Sequence, residues 1–194
     1  MPAIEPELNA LKDNLLDMLS LVITQMEKCK AAIAKNDISL AEEVISDEKK
    51  VNAQEIAIDR DCENILALFT PVATDLRLVL ATLKITNDLE RIGDNAKSLA
   101  KFLKNNSDKK TRGFVAELQI PEMLEIIVEM LKEMHLAFQK ADTSLALKSK
   151  KKDEHLNEYH KKATKTTVDL IRTNLDDVKT LLTLFSLTKN LERA

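Results

Sequence analysis

Glycine is nearly missing from this chain, with two in 194 residues, and only four prolines accompany them. A sheet needs tight turns built on those two residues and strands rich in β-branched and aromatic side chains. Aromatic residues make up 3% and tryptophan is absent, so a β-fold has neither its turns nor its strands. Cysteine occurs twice, at Cys29 and Cys62, too far apart for a metal-binding pair and too few for a disulfide framework. Both lie in helical, apolar surroundings that predict buried, reduced thiols. No run of eighteen apolar residues is present, which excludes a membrane-spanning helix. The opening MPAIEPELNALKD lacks the basic, apolar and small-residue regions of a signal peptide, so a cytoplasmic location is expected. A net charge of −3 argues against nucleic-acid binding. A Gly-rich phosphate loop, a serine nucleophile elbow and a histidine beside a nucleophile are all missing, so no catalytic residue is assigned and no enzymatic turnover is expected.

What remains is Ala, Leu, Ile, Lys and Glu, with 31% charged residues. This is the composition of long amphipathic helices, and the fold class is all-α. A first helix is expected from about Ile4 to Lys35. After the polar break Lys35-Asn36-Asp37, a second helix, capped by Asp37 or Ser39, runs to about Phe69. A third is expected over Pro71 to Lys104, with proline in its first turn. The polar residues Asn105 to Gly113 form a connector. Pro121 opens a fourth helix that closes near Asp142. A fifth, basic at Lys148 to Lys152, runs to about Asn174, and a sixth from Leu175 reaches Ala194.

The third helix carries the most information. Leu78, Thr82, Ile85, Leu89, Ile92, Ala96, Leu99 and Leu103 make one apolar stripe at spacings of three and four. Leu76, Leu80 and Leu83 begin a second stripe on the other side, which continues as Asn87, Glu90 and Asp94. Carboxylates in line with a core stripe are costly unless something compensates them. Gly93 lies between them, inside a helix, where glycine costs about 1 kcal/mol relative to alanine. Close approach of a neighbouring helix, or of an ion, would account for it. Pairing of the acids with Arg91, Lys97 or lysines of other helices is the plain alternative.

The second half of the chain repeats the first. DLRLVLATLKITNDLERI from Asp75 aligns with DVKTLLTLFSLTKNLERA from Asp177, sharing Asp75/Asp177, Leu80/Leu182, Thr86/Thr188, Leu89/Leu191, Glu90/Glu192 and Arg91/Arg193. DISLAEEVISDEKKVNAQE from Asp37 aligns in the same way with DTSLALKSKKKDEHLNEYH from Asp142. Two tandem antiparallel three-helix bundles are therefore expected, over residues 1–106 and 121–194, with 107–120 as linker. Glu48, Asn52 and Glu55 on the second helix have repeat partners Asp153, Asn157 and His160. Each repeat thus offers an oxygen-rich patch on its middle helix and a glutamate, Glu90 or Glu192, on its last. Such donors suit Mg²⁺, Ca²⁺, Mn²⁺ or iron, with zinc less favoured, and helical carboxylates inside bundles are known to hold metal centres. Solvated helix surface is the competing reading, above all for His135, His155 and the Lys148–Lys152 face.

DISLAEEVISDEKKVNAQEIAID, PVATDLRLVLATLKITNDLERIGD, DTSLALKSKKKDEHLNEYH and the terminal NLERA closely resemble the PhoU family of phosphate-homeostasis regulators, over Asp37 to Ala194. The resemblance implies two three-helix bundles side by side, in a cytoplasmic protein often found as a homodimer. It implies a negative regulator that couples the ATPase of a phosphate ABC transporter to a sensor histidine kinase, reaching the membrane only through the transporter. Some members bind iron or other divalent clusters through an E/D-x-x-x-D motif in each repeat. Here the first motif is Glu90-x-x-x-Asp94, with Glu48 and Asn52 as the accompanying patch. The second begins at Glu192, two residues before the last residue given, so its aspartate has no counterpart. An incomplete second site and a shortened last helix are expected from that. Two alternatives stand beside the regulator: the PhoU-like domain of a sodium–phosphate cotransporter, and a metal-dependent enzyme.

Overall fold

A computed structural model describes residues 4–193, without the side chains of Lys150 and Lys151. Among the described residues there are seven α-helices and no strand: α1 Glu5–Lys35, α2 Ile38–Phe69, α3 Ala73–Asn105, α4 Lys109–Glu117, α5 Ile120–Lys140, α6 Thr143–Thr173 and α7 Val178–Glu192, with a 3-10 turn Leu175–Asp177 before the last. The all-α expectation is met. The expected end of the last helix at Ala194 falls outside the described residues.

Helices α1, α2 and α3 pack into one three-helix bundle, and α5, α6 and α7 into a second. The bundles meet along α1 with α5 and α3 with α7, so one hydrophobic core runs through both. Helices α2 and α6 are the outer members, and among the described residues each packs mainly within its own bundle. The ion pairs Lys30–Glu125 and Lys132–Glu27 join α1 to α5 at the surface.

Local signals explain the boundaries. Asp37 accepts a hydrogen bond from the Leu40 amide at 3.1 Å, and its repeat partner Asp142 accepts one from Ser144 at 2.8 Å. Such N-caps contribute about 1 kcal/mol each. Asn36 and Ala141, at equivalent positions, end α1 and α5 in the left-handed region, with φ of 52° and 51°. That conformation is one glycine usually supplies. Helix α3 begins at Ala73 rather than Pro71, because Val72 is extended and the proline belongs to the turn. The stretch 107–120 is not structureless: it holds α4, capped by Asp108, with Thr111, Phe114 and Val115 buried. Of the polar residues that suggested a connector, only those from Lys109 onward belong to this helix, and Lys109, Lys110, Arg112 and Gly113 lie on its exposed side.

Six of the eight expected stripe residues of α3 are buried, Thr82, Leu89, Ile92, Ala96, Leu99 and Leu103, while Leu78 and Ile85 are half-buried shoulders and Leu80 is exposed. The buried face also takes in Val79, Thr86, Gly93 and Ala100. Small side chains on this face let α1 and α2 come close. A Cβ on Gly93 would lie 3.0 Å from Gln25 Oε1 and 3.3 Å from Val51 Cγ1. Gln25 is itself fully buried, and its Nε2 donates to the carbonyl oxygens of Val44 at 3.2 Å and Gly93 at 3.3 Å. Cys29 and Cys62 are buried free thiols, and burial pushes Cys29 up to about 12, far from reactive thiolate chemistry.

Leu89 is almost wholly buried. Replacing it with alanine is expected to lower unfolding stability by about 2–5 kcal/mol, measured by urea denaturation. Gly93→Val is expected to cost about 1–3 kcal/mol in the same assay, from overpacking against Val51 and Gln25.

Candidate metal centre

Four residues of α2, Glu48, Asn52, Glu55 and Asp59, stand at steps of four, three and four. They line one side of that helix. Glu90, Asp94 and Lys97 do the same on α3. Because α2 and α3 run antiparallel with Val51 against Gly93, the two rows face each other. Lys97 Nζ lies 2.7 Å from Glu48 Oε1 and 3.3 Å from Asp94 Oδ1. Asn52 Nδ2 donates to Glu48 Oε1 at 2.7 Å. Glu48 is only 5% exposed, whereas Asn52, Glu90 and Asp94 are half-buried at the mouth.

The electrostatics are those of crowded acids. Partial burial, then the charges of Asp94 and Glu55, holds the Glu90 carboxyl above the usual range. Glu55 is raised as well, by burial first and then by Asp59 and Asp94. Lys97 is pushed up by its hydrogen bond to Glu48, with Asp94 assisting. Asn52 Oδ1 is buried and has no hydrogen-bond partner. An oxygen-only donor set, an orphaned amide oxygen and mutually repelling carboxylates fit a hard divalent cation. The arrangement as it stands is not a finished ligand cage: among the described residues no three His, Cys, Asp or Glu side chains are grouped to hold a metal.

The second site is looser. Asp153 is exposed, and its backbone carbonyl, not its carboxylate, accepts from Asn157 Nδ2 at 3.1 Å. His160 stacks on Phe185 with ring centroids 5.4 Å apart. Among the described residues, no hydrogen bond or ion pair joins Asp153, Asn157 or His160 to Glu192. Of the basic run on α6, Lys152 pairs with Glu129 at 2.6 Å and Glu133 at 3.0 Å, whereas Lys150 and Lys151 have side chains outside those described. Elsewhere, an apolar cavity of about 190 Å³ between α1, α3, α5 and α6 has Asp88 as its one charged lining residue, and so offers an anion no donor side chain of positive charge.

The model of the PhoU domain matches residues 15–103 and, separately, residues 120–194. The chain belongs to the PhoU family. The double match is the internal repeat seen in the sequence. The phosphate-specific transport system accessory protein PhoU homologue of Aquifex aeolicus is 35% identical over 156 residues, covering 79% of this chain and 69% of that protein. The homologue of Borreliella burgdorferi is 32% identical over 191 residues, 96% of this chain and 86% of that protein. The crystal structure of PhoU from Pseudomonas aeruginosa superposes with a TM-score of 0.88 at 27% identity, over 98% of this chain and 91% of that one.

Sequence reasoning had named Glu48, Asn52, Glu90 and Asp94, and α2–α3 packing brings them to one face. It had missed Gln25, whose signal was a glutamine inside the apolar run Val22 to Cys29. A prediction follows from Glu90. Its folded pKa lies above the unfolded value near 4.5, so the folded state binds the extra proton and stability falls as pH rises through that interval. Glu90→Gln removes this loss. The melting temperature of metal-free Glu90→Gln relative to wild type is expected to increase from about pH 4 to about pH 7. A constant difference would contradict the crowding.

Proposed function

We propose that the protein is a negative regulator of phosphate uptake and of phosphate-starvation gene expression. It acts in the cytoplasm, as a homodimer, by contact with the ATPase of a phosphate ABC transporter and with a sensor histidine kinase. It has no turnover of its own. The observation that carries this reading is the double PhoU-domain match, set within relatives named as accessory proteins of phosphate-specific transport. The absence, among the described residues, of any helix long and apolar enough to cross a membrane is compatible with an adaptor that reaches the membrane through its partner. Deleting the gene should raise phosphate-starvation transcripts in phosphate-rich medium. Unchanged transcripts, together with no capture of the transporter ATPase by the purified protein, would reject the assignment.

The same family reading assigns a divalent cation to the α2–α3 face, with Glu48, Asn52, Glu90 and Asp94 as its donors. Bound there, the cation supplies the positive charge that the row of acids lacks. Asn52 Oδ1 and the raised Glu90 support this. Asp153, Asn157 and Glu192 form the weaker second site, because the Asp153 side chain is exposed and only its backbone carbonyl meets Asn157. Titration of metal-free protein with Mn²⁺ is expected to show one principal site, lost in Asp94→Ala. Equal Mn²⁺ uptake by that variant would refute the assignment.

A further inference from the structure

Lys97 is the side chain through which α3 answers the acids of α2. Its ammonium reaches Glu48 on the opposing helix at 2.7 Å and Asp94 on its own helix at 3.3 Å. The neighbouring cations are engaged elsewhere: Arg91 with Asp88, Lys28 with Glu43 and Asp47, Lys104 with Glu42. Lys97 is therefore set against two of the four donors assigned above, one of them the buried Glu48. We propose that Lys97 is a built-in competitor for the cation of this site, and that a divalent ion binds Glu48 and Asp94 only by displacing its ammonium. The proposal rests on the metal reading of the α2–α3 face.

Charge and reach make the exchange feasible. Glu48, Glu55, Glu90 and Asp94 bring four carboxylates, and one ammonium leaves most of that charge uncompensated. A small divalent ion binds oxygen at about 2.0–2.6 Å, closer than the ammonium, and carries twice its charge, so its attraction to the same oxygens is stronger. The side-chain stem of Lys97 is long and the residue is a quarter exposed, so the displaced ammonium has a path to water. A monovalent cation has no such advantage over the lysine. Lys97 accordingly sets a threshold. It reduces the apparent divalent affinity to the intrinsic affinity multiplied by the fraction of molecules in which the pair is open, and it discriminates against weakly held ions.

The experiment is calorimetric titration of Mn²⁺ into metal-free protein at fixed ionic strength, with melting temperatures recorded before and after. Lys97→Gln should bind Mn²⁺ at least about tenfold more tightly than wild type, as expected for loss of a competing charged hydrogen bond. Arg91→Gln removes one positive charge next to the site without freeing Glu48 or Asp94, and should change affinity less than about threefold, the residue being exposed and screened. Lys97→Arg keeps a competing charge and should stay near wild type, which guards against a general effect of substitution. Metal-free Lys97→Gln should melt below wild type, because Glu48 has lost its charged partner and keeps only the Asn52 amide, and saturating Mn²⁺ should close the gap. Equal or weaker binding by Lys97→Gln, with Asp94→Ala abolishing binding, overturns the role of Lys97 and leaves the site standing. Absence of Mn²⁺ binding by wild type and Lys97→Gln alike overturns both the role and the site.

Discussion

Close approach of three helices at Gly93 governs the first repeat. Gln25 of α1 and Val51 of α2 both press to within van der Waals distance of the space a side chain would fill there. The Gln25 amide then ties the backbones of α2 and α3 together through the carbonyls of Val44 and Gly93. Helix register is set at that point, since sliding α2 by one residue would bring a bulkier or differently placed neighbour against Gly93. Everything charged on the α2–α3 face inherits this register. Glu48 meets Lys97, and Glu55 comes to Glu90 and Asp94, because Val51 is locked between them in sequence and in space.

Glu90 and Glu55 on that face oppose folding in the absence of a cation. Carboxylates raised above their usual range mark a protein holding groups where they repel one another. Surrounding packing makes this tolerable: a continuous core through both bundles stabilises far more than a handful of half-exposed charges costs. Sites that locally disfavour the folded state are a common signature of function. The rest of the surface shows the contrast, with ordinary exposed pairs such as Arg172–Asp169 and Arg91–Asp88.

Much of this was legible from the residues. The scarcity of glycine and aromatics excluded sheets, the cap Asp37 marked the start of α2, and the spacing of Glu48, Asn52, Glu90 and Asp94 put each pair on one face. The helical wheel was less complete about α3. With apolar residues on two sides, periodicity gave a broad stripe, and it left out the buried Val79, Thr86, Gly93 and Ala100. Helix α4 was hidden because its outer face is polar and its three buried residues are too few to show a period. Gln25 was hidden for the opposite reason, since a polar residue in an apolar run is visible but its partners on two other helices are not. That Lys97 would meet Glu48 as well as Asp94 depended on interhelical register, and register is a property of packing.

The two outer helices stand in a different position from the inner four. Helices α1, α3, α5 and α7 are each wedged between the bundles, so a change in one is felt by both copies of the duplicated unit. Helices α2 and α6 answer mainly to their own bundle among the described residues. A duplicated chain can therefore let its outer helices drift apart while its inner ones stay constrained. The acid row illustrates this: the repeat counterparts of Glu48 and Glu55 on α6 are Asp153 and His160, one exposed and the other laid against Phe185. Symmetry of architecture thus coexists with freedom of chemistry, and a single ancestral patch can become two unlike ones without disturbing the seam between the halves.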